Sequence, residues 1–187
     1  MASEALTGGF ANAPHAAAIT FRGAMRAMAM PGVIEHIEGA AGPVPLSPAA
    51  SALLLTLCDP ETPIYLGGTH DTAAVRDWIV FHTGAPLTDP TRAMFALGTW
   101  DALAPHDAYA IGTAEYPDRA ATLIVEMPAL TAEGARLTGP GIEKEAALNL
   151  PDISFCQANA ALYPLGVDLF LTRGNAVAAL PRSTKVR

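Results

Sequence analysis

The chain has 187 residues and a formal charge of −7, and half of it is hydrophobic although only 6% is aromatic. That length suits one domain spanning 1–187, with a core of Ala, Leu, Val, Ile and Met large enough to fold without disulfide or metal. The negative charge argues against a nucleic-acid binder, which needs a basic face toward phosphates.

Residues 1–13 are small and polar to neutral, and read as an irregular N-terminal arm. No basic stretch followed by an apolar segment occurs there, so a secretory signal is not expected. A helix is predicted from about His15 to Met30. Ala18, Phe21, Met25 and Met28 recur at helical spacing on one of its faces. Pro31-Gly32 stops it. Val33 to Ile37 alternates as a strand. Ser47 caps a second helix, Pro48 to Leu57, with proline in its first turn. The segment from Cys58 to Pro63 is a turn, and Ile64 to Leu66 a short strand.

Thr69 or Asp71 is expected to cap a third helix running to about Phe81, closed by Gly84. Ala93 to Leu97 reads as a strand, Thr99 to Leu103 as a helical turn, Thr122 to Met127 as a buried strand and Ala135 to Thr138 as another. A helix is expected around Phe155 to Leu162. Val167 to Thr172 and Ala176 to Leu180 flank Arg173-Gly174-Asn175 as a hairpin. Helices mixed with short buried strands give an α/β fold, a mixed sheet covered by helices. The longest apolar run, Ala52 to Cys58, is broken by Thr56 and is too short to cross a membrane. Cys58 and Cys156 lie far apart with no CxxC or Cys/His cluster, so neither a zinc nor an iron–sulfur site is expected. They read as reduced thiols of a cytoplasmic protein.

Several residues could carry chemistry. Arg22 and Arg26 sit four apart beside the apolar stripe. Either they share an anionic partner or they are a solvated face with alkyl stems on the core. Gly139-Pro140-Gly141 follows a strand and could present amides to an anion or simply form a tight turn. It is not a phosphate loop, because the lysine and spacing are missing. His70-Asp71 and His106-Asp107 read as helix-capping aspartates beside exposed histidines, and no metal site is evident. His82 reads as structural. Asp168 lies inside the apolar run Leu165 to Leu171, so it must be paired, hydrogen-bonded or at a strand entrance. Arg182, followed by Ser183 and Thr184, could suit an anion or be a solvated tail. Neither GxSxG nor a catalytic-cysteine signature appears.

Taken together, Phe21-Arg22, Met25, Ala27-Met28 and Pro31-Gly32 resemble the opening signature of the PhnH family, a subunit of the bacterial carbon–phosphorus lyase system. The resemblance runs on through Leu53 to Leu57, Asp59 with Thr62-Pro63, and Phe81-His82-Thr83 with Ala85-Pro86-Leu87. It continues in Leu137-Thr138-Gly139 with Gly141-Ile142, Pro164-Leu165-Gly166 with Asp168-Leu169, and Pro181-Arg182 with Thr184. It implies a fold similar to pyridoxal-phosphate-dependent transferases without the cofactor, and a homodimer that joins sister subunits. It also implies a part in forming ribose 1-phosphonate 5-triphosphate from ATP and an alkylphosphonate. The residues singled out for ligand or partner binding, possible ligands being a phosphonate or a nucleotide, are Arg22, Arg26, Asp59, Gly139, Gly141, Asp168 and Arg182. A stand-alone transferase with Arg22, Arg26 and Arg182 as clamps is the competing reading.

Overall fold

Residues 7–187 are described by the structure, a computed structural model. Asn12 caps α1 (Ala13–Ala29), its side chain accepting from the His15 amide, with proline in the first turn. Ser47 caps α2 (Pro48–Leu57) in the same way, accepting from the Ala50 amide. Thr72, rather than Thr69 or Asp71, caps α3 (Ala73–Thr83), and the left-handed Gly84 closes it. Asp71 instead pairs with Arg76. Asp152 caps α4 (Ile153–Ala161).

The strands are β1 (Glu35–His36), β2 (Ile64–Leu66), β3 (Phe95–Gly98), β4 (Thr122–Glu126), β5 (Ala135–Thr138), β6 (Ala146–Leu148), β7 (Asp168–Arg173), β8 (Ala176–Leu180) and β9 (Lys185–Val186). Six form one sheet in the order β1-β8-β7-β4-β3-β2. Its β2, β3, β4 and β7 are parallel, while β8 runs antiparallel to β7 and β1 antiparallel to β8. A second, antiparallel sheet has the order β6-β5-β9. Sequence patterning anticipates neither β6 nor β9. Both are too short to show a period, and each exists by pairing with β5. The strand expected over Val33 to Ile37 shrinks to the two residues that reach β8.

Side chains alternate across the main sheet, as buried parallel strands require. Ile124 and Phe170 face α1, α2 and α3, whereas Leu123, Val125, Leu169 and Leu171 face Cys156 of α4 and the smaller sheet. The central helix, α2, buries Ala49 through Leu54 without a break. Its alanines let α1 approach closely, so α1 buries only Thr20, Ala24 and Ala27. The stripe of Ala18, Phe21 and Met25 is turned roughly 125° away from that line, at 3.6 residues per turn. Phe21 and Met25 are therefore about half exposed, at 49% and 51%.

The expected N-terminal arm lies partly outside the described residues, which begin at Thr7. Within it, residues 7–12 form neither helix nor strand, yet they are anchored. The buried Trp78 ring donates to the Thr7 carbonyl at 2.9 Å, and the Ala41 amide donates to Gly8 at 2.8 Å.

Candidate functional site

Parallel strands in open α/β sheets present their carboxyl ends to ligands. Here the chain leaves β2 through Gly67 to Thr69-His70, and β3 through Thr99-Trp100-Asp101. It leaves β4 through Glu126-Met127-Pro128, and β7 through Arg173-Gly174. All of these segments line one open cleft of about 960 Å³, together with Ser47 and Pro48 at the start of α2 and with Asn149 to Pro151. Gly67 is required at the base of this rim, since a Cβ there would sit 2.7 Å from the Ala102 carbonyl oxygen.

Glu126, the last residue of β4, organises the floor. Its Oε1 accepts from the Ser47 amide at 2.7 Å, and its Oε2 from the Thr172 hydroxyl at 3.0 Å. The carboxylate thus occupies the positive end of α2, where an anion is favoured. Nearby, His70 is only 3% exposed. Burial holds its imidazole below the ordinary histidine value, against the opposing influence of the Glu126 carboxylate and the Gly67 carbonyl. It is consequently neutral at pH 7. Its Nδ1 is buried and has no hydrogen-bond partner of good geometry. Trp100 is braced from behind, stacked on His106 at 3.7 Å between ring centroids and met edge-on by Phe155 at 5.0 Å.

None of the seven residues singled out for ligand or partner binding lines this cleft, although His70 does. Asp168 and Arg182 do meet, at the other end of β7. The Arg182 guanidinium grips the carboxylate at 2.5 and 3.1 Å, its backbone amide adds a bond at 2.8 Å, and its Nη1 donates to the Pro117 carbonyl at 2.6 Å. Asp168 is indeed at a strand entrance and paired. Asp59 stabilises the turn after α2, accepting from the Glu61 amide at 2.8 Å. Gly139 and Gly141 form a tight turn under the end of α1, where a Cβ on Gly141 would lie 1.8 Å from the Ala29 oxygen. Arg26 pairs with Glu35 at 3.0 Å on the surface, and Arg22 is exposed one turn earlier. Of the clamp arginines, Arg26 is paired with Glu35 and Arg182 with Asp168, and none of the three lines the cleft, whose lining cation is Arg173.

His70 is buried where sequence reasoning expects an exposed side chain, because its 3-10 turn folds in against the β3 loop. Glu126, Asp101 and Arg173 carry no motif. The signal that finds them is positional: polar residues at or just beyond the carboxyl end of a parallel strand. His106 is half-buried by its stack on Trp100, and His82 packs against Trp78 and Phe81. Among the described residues no group of three His, Cys, Asp or Glu is placed to hold a metal ion, and no helix is long and apolar enough to cross a membrane. Pyridoxal phosphate enzymes hold their cofactor as a Schiff base on a lysine. Lys144 and Lys185 are both exposed and lie outside the cleft, so its residues do not fit that group. Burial pushes both thiols, Cys58 and Cys156, up to about 12, which leaves them protonated and poor nucleophiles.

Comparison with known proteins agrees with the marks along the chain. A family model described as bacterial phosphonate metabolism protein (PhnH) matches residues 8–187. The α-D-ribose 1-methylphosphonate 5-triphosphate synthase subunit PhnH of Rhizobium meliloti (strain 1021) is 41% identical over 197 residues, covering 98% of this chain and 96% of the relative. HtxG of Stutzerimonas stutzeri, whose name ties it to a C-P lyase, is 40% identical over 83 residues, covering 41% of this chain and 42% of that protein. With its motifs in order and the family pattern matched along nearly its whole length, the chain belongs to the PhnH family of bacterial phosphonate metabolism proteins.

Proposed function

We propose that this chain is a subunit of an α-D-ribose 1-methylphosphonate 5-triphosphate synthase, working with sister subunits in carbon–phosphorus lyase metabolism of organophosphonates. The carrying observation is the 41% identity, over 98% of the chain, to a subunit of that name. The cleft agrees with action in company. Displacing a base from a nucleoside triphosphate needs leaving-group protonation, a stabilised cationic sugar and a cradle for the phosphates. One arginine, Arg173, lines the cleft, and the amides at the start of α2 already have partners within the chain. The test is reconstitution. Incubated with ATP, Mg²⁺ and methylphosphonate, the purified chain alone should release no adenine above background. The sister subunits should form the phosphonate ester, followed by phosphorus NMR, only when this chain is added. Full activity without it would sink the reading.

The same proposal includes a homodimer that joins the larger assembly in the cytoplasm. The exposed Phe21 and Met25 of α1 supply an apolar face for such contacts, with Arg22 beside them. The two thiols lie in separate cores on opposite faces of the sheet, so they do not pair with each other, which suits a reducing compartment. A mostly parallel sheet covered on both faces, with a cleft at its carboxyl edge, suits an architecture related to pyridoxal-phosphate-dependent transferases.

A further inference from the structure

We propose that the cleft at the carboxyl ends of β2, β3, β4 and β7 binds the uncharged, nucleoside part of a ligand, a flat ring bearing hydroxyl or amino donors, and is built against phosphate. This deepens the synthase reading and rests on it for the expectation that a nucleotide is present at all.

The helix start that opens on the cleft has the direction of an anion site, but its amides have partners. Ser47 donates to Glu126, Ala49 to the Gly174 carbonyl at 2.9 Å and Ala50 to the Ser47 hydroxyl at 3.1 Å, while Pro48 has no N–H. The protein has put its own carboxylate where a phosphate would otherwise sit. Charge points the same way. Glu126 and Asp101 outnumber Arg173 along the lining, and His70 is neutral, so a polyphosphate entering the cleft meets net repulsion.

What the cleft offers instead is acceptors and a shelf. Each Glu126 oxygen accepts one bond from the chain and retains a lone pair that a ribose hydroxyl or an exocyclic amine can fill. His70 is more than nine-tenths buried and lines the cleft. Its Nδ1 makes no hydrogen bond of good geometry within the chain, although buried polar groups are normally satisfied. Trp100, held rigid by His106 and Phe155, supplies an aromatic wall against which a base can lie. The volume of about 960 Å³ accommodates a nucleoside with room to spare.

The experiment is calorimetric titration of the full-length chain at neutral pH and physiological salt with adenosine, ATP, tripolyphosphate and methylphosphonate as separate probes. Adenosine should bind in the millimolar range or tighter. ATP should bind no more strongly than adenosine, and tripolyphosphate and methylphosphonate should neither bind nor displace adenosine. Asp101→Asn and His70→Gln should each weaken adenosine roughly 3- to 30-fold, the size of a lost hydrogen bond, with unchanged circular dichroism. Asp101 is exposed, so its variant keeps the test open if the His70 variant folds poorly. Absence of adenosine binding, displacement by tripolyphosphate, or binding that both folded variants leave untouched would each overturn the proposal. A chain that binds no adenosine yet completes the reconstituted synthase sinks this inference alone. A chain that binds adenosine but is dispensable for synthesis sinks the synthase reading instead.

Discussion

The two ends of β7 hold opposite solutions to one problem. At its start, Asp168 is closed off by Arg182, which uses its side chain and backbone amide on the same carboxylate and a further N–H on Pro117. At its far end, Glu126 on the neighbouring strand accepts from Ser47 and Thr172, with no arginine gripping it and a half-buried flank toward the cleft. Roughly 13 Å separates Asp168 from Thr172, the residue beside Glu126, four residues along at strand rise. An acid met by a fork of donors serves architecture. An acid left with spare acceptor capacity on a concave surface is available to something else. Charge in an apolar strand therefore does not by itself mark a site; what matters is whether the chain exhausts it.

The largest effect should come from breaking the closed end. Asp168→Ala strands a mostly buried guanidinium and should cost about 3 kcal/mol in denaturant unfolding. Reconstituted synthesis per folded subunit should be unchanged. Loss of activity without loss of stability would reverse the contrast. Next comes the open end: Glu126→Ala removes acceptors for two donors, at about 2 kcal/mol. Here synthesis should fall further than stability explains, measured at a temperature where the variant stays folded.

A smaller effect is set by pH. His70 titrates below its ordinary value of 6.5 in the folded chain. On acidification the unfolded chain takes up that proton first, so the stability His70 allows is complete above 6.5 and is lost as pH falls through the folded value. The melting temperature should therefore fall less steeply on acidification below pH 6.5 in His70→Gln than in the wild type. Identical slopes would mean that burial does not hold the imidazole neutral. The smallest effect concerns a region outside the comparison. Phe21→Ser with Met25→Ser should leave the isolated chain's midpoint nearly unmoved, because both side chains are half exposed. Light scattering should show the dimer weakened, or pull-down the sister subunits lost. An unchanged assembly would assign that face to solvent.

These regions were not equally readable in the primary structure. α2, β2, β5, β8 and the turn at Arg173-Gly174-Asn175 follow from local chemistry: a serine cap, a proline start, alternation and a glycine turn. The apolar stripe of α1 is present as spaced, but spacing cannot say which face meets the sheet. The alanines of α2 decided that by admitting Ala24 and Ala27 more closely than Phe21 or Met25. Asp168 could be read as paired because an unpaired charge in that run is untenable. The cleft could not, because its residues come from four strand ends separated by long crossovers. Only the parallel order of the strands brings His70, Asp101, Glu126 and Arg173 to one rim.

That order has a consequence for how the chain assembles in time. The Asp168–Arg182 pair spans 14 residues and closes with one hairpin, whereas Glu126 reaches Ser47 across 79 residues and Thr172 across 46. Contacts that close long loops carry the greater entropic cost and depend on the sheet being already in place. The rim of the cleft is thus late to form and early to loosen, a locally soft edge on a firm sheet. In native-state hydrogen exchange the Ser47 amide should lose protection at lower denaturant than the amides of β7. A ligand seated on Glu126 would join the three segments that the chain itself joins last.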